Sequence, residues 1–202
     1  MATIGLSKPF FAIYSENGGI VSYENGGVLG KYTQLSLQLD TANENVLFAD
    51  NGPAESDSGF GGGTFSVTTD ELRPEISKAI YGLSEESISA EGMTTTGAKW
   101  QVNDDDQAIP YLGIGGILKK QVDGAPKYVA FVLEKVKFKN NGMEATTQGA
   151  TITWQTPKLE GSIFRSDNAK HSWRRVSTLL DSEADAAAAV KDFLNITQGG
   201  KQ

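Results

Sequence analysis

The sequence predicts a mainly β fold, either an antiparallel β-sandwich or a partly open barrel, with two short flanking α-helices. Leu35, Leu37 and Leu39 alternate with polar residues, and this period of two is typical of a half-buried strand. Residues 111–118 and 128–133 are apolar on both faces, as in central strands. The chain has 23 glycines but only 6 prolines, which favours strands and turns.

The N-terminal part predicts a β-hairpin. Residues 10–15 are aromatic and apolar enough for a first strand, and the turn signal at 17–19 leads into a second apolar segment at 20–23. A further turn signal at 25–27 separates this hairpin from the strand that carries the alternating leucines.

A long acidic loop, residues 43–63, follows the leucine strand. The chain has five acids but no Lys or Arg from 40 to 63. Residues 46–49 favour a short strand, a turn is expected at 51–53, and the glycine-rich run 59–63 is not expected to hold a regular element alone. Phe65 and Val67 then begin another alternating strand. Long loops in compact domains are often functional, so we expect this loop to act in recognition or assembly.

Two segments have helical periodicity. Ile76, Ile80 and Leu83 lie on one stripe of a short helix, which Pro74 begins and Gly82 ends. A second helix is predicted at about 182–195, where Ser182 opens a capping pattern. Between these helices, residues 84–106 are small, polar and the least informative part of the chain. For the three acids at 104–106, a solvated loop is favoured over a calcium site.

Residues 109–138 give the strongest β signal. The glycines at 113–116 lie inside a strand pattern, so close backbone packing is favoured over a dinucleotide loop. Lys135, Lys137 and Lys139 then share one strand face. We favour a solvated strand end for them, while a basic surface that meets the acidic loop of a neighbouring copy remains an alternative.

Further strands are predicted at 146–155, 162–165 and 173–180, with Trp154 at a core position of the first. Neither an internal repeat nor a domain-splitting linker is visible. Residues 1–202 are therefore interpreted as one domain.

Composition argues against several functional classes. The chain has no cysteine and a single histidine, His171, which lies in a polar stretch typical of an exposed loop. No catalytic residue, cofactor site or metal site is predicted, and an enzyme is disfavoured. No apolar run is long enough for a membrane span, and the N-terminus has no leader pattern. A net charge of −7 is poor for gripping nucleic acid but suits a surface along which nucleic acid passes.

Two segments resemble the major tail protein family of long-tailed bacteriophages. They are residues 1–6 (MATIGL) with the following aromatic pair, and residues 47–55 (LFADNGPAE) leading into 62–65 (GGTF). The resemblance covers most of the chain and is weakest at about 91–106. It implies a tail-tube subunit in the virion, made in the bacterial cytoplasm, whose hexameric rings stack into the conduit for viral DNA. It also implies tail-tip, tape-measure and tail-terminator partners.

The resemblance and the strand pattern together predict two sets of assembly residues. An inter-ring loop, disordered in the free subunit and ordered between rings, would use Asp50, Gly52, Pro53, Glu55, Asp57, Phe60 and Gly61. A polar-to-acidic face without cations is the candidate lumen lining, along which DNA would slide without specific binding; its candidates are Gln34, Ser36, Gln38, Asp40, Ser66 and Thr68. The alternative is that this face points to the outside of the tube. Rings would close laterally by strand pairing.

Two alternatives from other classes are retained. A monomeric carbohydrate- or protein-binding module would display an exposed aromatic platform, for which Trp100, Trp154 and Trp173 are the tryptophan candidates. A β-sandwich hydrolase would use a pair of acids, but no pair is singled out by the sequence.

Overall fold

The computed structural model describes residues 2–41, 45–49, 52–57, 59–140, 142, 145–148 and 154–196, with residues 41, 45–49 and 52–57 as backbone only. The strands within these ranges are β1 (Ala2–Asn17), β2 (Ile20–Val28), β3 (Tyr32–Thr41), β4 (Asn45–Ala49), β5 (Gly52–Asp57), β6 (Phe60–Thr69), β7 (Ser84–Ser87), β8 (Lys99–Val102), β9 (Leu112–Val122), β10 (Ala125–Phe138), β11 (Lys158–Phe164) and β12 (Arg174–Val176). The helices are α1 (Pro74–Tyr81) and α2 (Glu183–Phe193).

Eight of these strands form one antiparallel sheet. Its order is β2-β1-β9-β10-β11-β6-β3, and β12 pairs with the middle of β10. The sheet does not close into a barrel, so β2 and β3 are its edges. Strands β4 and β5 form a separate two-stranded sheet, as do β7 and β8. The predicted mainly antiparallel β fold with two helices is confirmed.

The central hairpin, β9 and β10, is buried on both faces because its apolar residues point to both sides. Ile114 and Leu133 belong to a cluster that also contains residues of β3, β6, β11 and α1, around which the sheet curls. Ile117 and Val132 belong to a second cluster beneath α2. Both faces of the hairpin are therefore covered by other parts of the same chain, as its sequence predicted.

The helices begin and end as their sequences predict. Pro74 occupies the first turn of α1, and Gly82 ends it in the left-handed conformation at φ 65°. A Cβ atom at Gly82 would lie 2.2 Å from the carbonyl oxygen of Ala108, so the position excludes larger residues. At α2, the Ser182 hydroxyl accepts a hydrogen bond from the Asp185 N–H at 3.0 Å, which is an N-cap.

The glycine-rich run 59–63, which was not expected to hold a regular element alone, contributes residues 60–63 to β6, where pairing with β3 and β11 supplies its order. Residues 84–106 contain the strands β7 and β8, and the acids at 104–106 lie exposed after β8, as expected. The strand predicted at 146–155, with Trp154 at a core position, is wrong where the structure describes it. Trp154 is 86% exposed, and residues 145–148 and 154–157 are not in a strand; the remainder of that predicted strand lies outside the described residues.

Neither helix in the described ranges is both long enough and apolar enough to cross a membrane.

Candidate functional site

The acidic loop contains a β-hairpin. Strands β4 and β5 pair antiparallel, with Ala49 opposite Gly52, and neither strand joins the main sheet. The short strand expected at 46–49 is confirmed. Four assembly candidates (Gly52, Pro53, Glu55 and Asp57) lie on β5, whereas Asp50 lies outside the described residues. The described part of the loop thus has a regular backbone, and its ordering between rings stays a prediction.

The base of this hairpin is held by the main body of the subunit. Thr41 at the end of β3 lies opposite Phe60 at the start of β6. The ring of Phe60 stacks on that of Trp173, with centroids 4.5 Å apart and planes 5° apart. The Arg165 guanidinium donates a hydrogen bond to the Phe60 carbonyl oxygen. Phe60 is thus packed within its own subunit, although the sequence suggested an apolar side chain available to a neighbour. Gly61 beside it is exposed.

Residues 165–173 form the loop that carries Trp173, and a buried carboxylate anchors it. Glu134 of β10 has 1% of its side chain exposed. One carboxylate oxygen accepts from Arg175 Nε at 2.8 Å, and the other accepts from Asn168 Nδ2 at 2.8 Å. Both oxygens therefore have charged or polar partners, as a buried acid requires. Our sequence analysis missed this site, although Glu134 is a lone acid at the end of an apolar run.

A second anchor of the same loop is Asp167. Its carboxylate accepts hydrogen bonds from Lys135 Nζ at 2.5 Å and from the Tyr14 hydroxyl at 2.9 Å. The hydrogen bond from Lys135, followed by that from Tyr14, lowers the pKa of Asp167 below its ordinary value. Through these anchors the loop connects β1 and β10 to the base of the acidic hairpin.

The strand register brings the predicted lumen residues onto one face. Gln34 lies opposite Thr68, and Ser36 lies opposite Ser66. Directly opposed residues of an antiparallel pair share a face, so these four side chains are neighbours. Gln38 and Asp40 follow at the same alternation towards the acidic hairpin, and all four candidates on β3 are exposed.

The same face continues across β11 and the end of β10. Lys158 lies opposite Thr68, Glu160 opposite Ser66, and Lys137 opposite Ser162 of β11. We call this surface of β3, β6, β11 and the end of β10 the polar face. The expectation of a face without cations is wrong, because the register of β11 and β10 adds lysines that are distant in sequence. Lys158 Nζ lies 2.6 Å from Glu160 Oε1, and this hydrogen bond lowers the pKa of Glu160.

The three lysines of β10 and its continuation differ from one another. Lys135 has 15% of its side chain exposed, and its ammonium lies 4.6 Å from the ring centroid of Tyr111. Lys137 lies 5.3 Å from the same centroid and is half-buried, whereas Lys139 is exposed. A solvated strand end therefore describes Lys139 but is wrong for Lys135, because the Asp167 carboxylate and the aromatic rings occupy its surroundings.

The tryptophans do not share one platform. Trp100 lies on β8 and is 61% exposed. Trp154 lies in the segment before β11 and is 86% exposed, whereas Trp173 is half-buried against Phe60. No ring contact joins Trp100 to Trp154 in the part of the chain that the structure describes.

Within the described ranges, no group of three or more His, Asp or Glu side chains is placed to hold a metal ion. His171 is exposed, and its Nδ1 lies 3.2 Å from the Ser166 carbonyl oxygen, where it belongs to the loop that carries Trp173. The described geometry thus offers the polar face and the β4–β5 hairpin as candidate sites.

Comparison of the chain with protein-family models and with curated protein sequences gives no match.

Proposed function

We propose that this chain is a structural subunit of a bacteriophage tail tube, which assembles into stacked hexameric rings that conduct DNA. The acid-rich hairpin formed by β4 and β5 is the observation that carries the proposal. It pairs only with itself in the described part of the chain, while Phe60, Trp173 and Arg165 hold its base. A hairpin that is fixed at its base and pairs with no other described strand is suited to contact another subunit.

Lateral contacts between subunits are supported by the open sheet. Strands β2 and β3 each have one edge without a strand partner among the described residues. An exposed strand edge can pair with a strand of another chain. A closed symmetric ring leaves no such edge exposed. In this proposal, edge pairing closes each ring and the hairpin reaches along the axis to the next one.

The polar face is the proposed lumen wall. It carries hydroxyls and amides, with Asp40 at one end and the Lys158–Glu160 ion pair at the other. Because this pair places opposite charges side by side, the wall carries both positive and negative charge. The phosphates of DNA therefore do not meet an array that consists of cations alone. DNA then passes without specific binding. The proposed location is the virion tail, with tail-tip, tape-measure and tail-terminator proteins as partners and no enzymatic activity, metal or cofactor.

The first test replaces residues 45–57 by a glycine–serine linker of equal length. Because Thr41 and Phe60 remain paired at the base, the variant subunit should stay folded. Wild-type protein should form rings or tubes at high concentration in size-exclusion chromatography and negative-stain images, whereas the variant should form no stacks. A wild-type protein that stays monomeric at every concentration and with tail-assembly partners would contradict the proposal.

The second test adds positive charge to the polar face. Phage whose subunit carries Gln38→Lys and Ser66→Lys should assemble tubes but eject DNA more slowly, and added salt should relieve the delay because it weakens phosphate–lysine attraction. Ser87→Lys with Thr178→Lys, at exposed positions outside the polar face, is the matched control. Wild-type ejection rates for the double variant at low and high salt would remove this face from the lumen.

A monomeric binding module is the alternative function, and the exposure of Trp100 and Trp154 favours it. A carbohydrate ligand would stack on one of these rings and change its fluorescence. A protein that stays monomeric and shows such a change, lost in Trp154→Ala or Trp100→Ala, would support this alternative over the tube.

A further inference from the structure

A groove lies where the curled sheet fails to close. It has a volume of about 490 Å³ and is bounded by the first half of β1, the start of β3 and one side of α2. Its apolar lining residues are Leu6, Phe10, Val28, Tyr32 and Ala187. Three lysines, Lys8, Lys31 and Lys191, surround this apolar surface.

The backbone of β1 beside the groove has an unpaired edge. Strand β1 pairs with β2 only from Phe10 to Asn17, whereas its first residues pair with β9 alone. The register shift between Ser7 and Phe10 and the positive φ of Lys8, 53°, bend the strand at this point. An extended segment that enters the groove therefore meets free backbone donors and acceptors next to apolar side chains.

The charge at the groove favours an acidic occupant. Lys31 has 87% of its side chain exposed and lies 3.5 Å from Asp70, and Lys8 lies 3.8 Å from Glu183. Lys191 has its ammonium 5.5 Å from the ring centroid of Phe10. Three lysines thus face two acids, and the exposed ion pairs are weak enough to exchange partners.

The acidic hairpin has the matching composition. Residues 46–49 are apolar, and residues 40–63 contain acids but no Lys or Arg. Such a segment offers apolar residues to the floor of the groove and carboxylates to its lysines.

The groove and the hairpin lie at opposite ends of β3. Lys31 and Tyr32 at the start of the strand line the groove, whereas the hairpin leaves from Thr41 at its end. A strand of 10 residues at about 3.3 Å per residue separates them by roughly 30 Å. A hairpin that leaves from the far end of β3 is suited to the groove of another copy, and head-to-tail contacts that do not close into a ring repeat along an axis.

We propose that this groove is the acceptor site for the β4–β5 hairpin of a second copy of the chain. The inference rests on the proposed tube function and adds the surface on which one ring receives the hairpin of the next.

Cysteine cross-linking tests this contact, because the chain has no cysteine of its own. Protein with Val28→Cys is mixed with protein with Leu47→Cys at assembly concentrations and oxidised. Val176→Cys replaces Val28→Cys in the control, since Val176 is exposed on β12 away from the groove (54% against 45% for Val28). The groove pair should cross-link about tenfold faster than the control pair because docking raises the local concentration of the thiols.

The outcomes separate the two proposals. Tubes that form while the groove pair and the control pair cross-link at equal rates overturn the acceptor site and leave the tube function standing. Wild-type protein that forms no rings or tubes overturns the tube function and this inference with it.

Charge exchange is the second measurement. The double variant Lys31→Glu, Lys191→Glu should need an about tenfold higher protein concentration for stacking. Adding Glu55→Lys and Asp57→Lys to this variant should restore stacking at the wild-type concentration. Lys139→Glu with Lys170→Glu, at exposed positions outside the groove, should change stacking little. An equal loss in this control, or no recovery on exchange, contradicts the acceptor site; circular dichroism verifies that each variant is folded.

Discussion

Two hairpins of this chain have the same local geometry and opposite surroundings. The central hairpin (β9 and β10) and the acidic hairpin (β4 and β5) are both antiparallel, and each has a short connection. The central hairpin has sheet neighbours on both edges and apolar clusters on both faces. The acidic hairpin pairs only with itself in the described chain. The sheet neighbours and apolar clusters around the hairpin, and not its own strand pairing, thus separate the core hairpin from the one that pairs only with itself.

The difference extends to charged residues. The central hairpin buries one carboxylate, Glu134, and holds it with Arg175 and Asn168. The acidic hairpin carries several acids in a segment without bases. A buried acid has a large effect on folding because losing its partner leaves a charge inside the protein, whereas acids on a projecting hairpin are expected to act on association.

The largest expected effect comes from removing the partner of the buried carboxylate. Arg175→Ala leaves Glu134 without its counter-ion and should lower the free energy of unfolding by about 2–3 kcal/mol, less than for a fully buried pair because Arg175 is half exposed. Urea unfolding followed by circular dichroism measures it. Glu55→Ala in the acidic hairpin should change stability by less than about 0.5 kcal/mol while weakening assembly. Equal stability losses would remove the distinction between the hairpins.

A smaller effect is expected where the acidic hairpin joins the body. Phe60→Leu and Trp173→Leu, separately and together, should give a coupling energy of about 1 kcal/mol in a double-mutant cycle because the stacked rings interact directly. Combining Trp173→Leu with Tyr111→Leu, whose ring contacts Phe164 instead, is the control and should be additive. Additivity of the first pair would show that the stack does not hold the hairpin.

The smallest effect concerns acid stability. The pKa of Asp167 is lower in the folded protein than its ordinary value of 3.8, because Lys135 and Tyr14 donate hydrogen bonds to the ionised carboxylate. Its stabilisation is therefore complete above about pH 5 and is lost as pH falls through the lowered pKa. The change should stay below about 1 kcal/mol because Asp167 is about half exposed. Asp167→Asn should flatten the acid limb of unfolding free energy against pH; an unchanged limb would argue against this anchor.

The sequence alone determined the elements whose burial follows a local period. The two-sided apolar runs in β9 and β10 and the stripes and caps of α1 and α2 are confirmed. The leucine alternation in β3 is confirmed for Leu35 and Leu37, which pack against the core, whereas Leu39 is 45% exposed. The segment at 46–49 also forms the expected strand. These features follow from local spacing because side-chain direction repeats every two residues in a strand and every 3.6 in a helix.

The tertiary structure decided which distant residues became neighbours. Lys158 and Lys137 joined the polar face through the registers of β11 and β10, and Trp173 met Phe60 through a loop that Glu134 anchors. The glycine run became part of β6 because two strands flank it, and Trp154 alternated like a core residue without a core beside it. A local pattern indicates which face of a strand is apolar, but the packing of the whole sheet determines which residues cover that face.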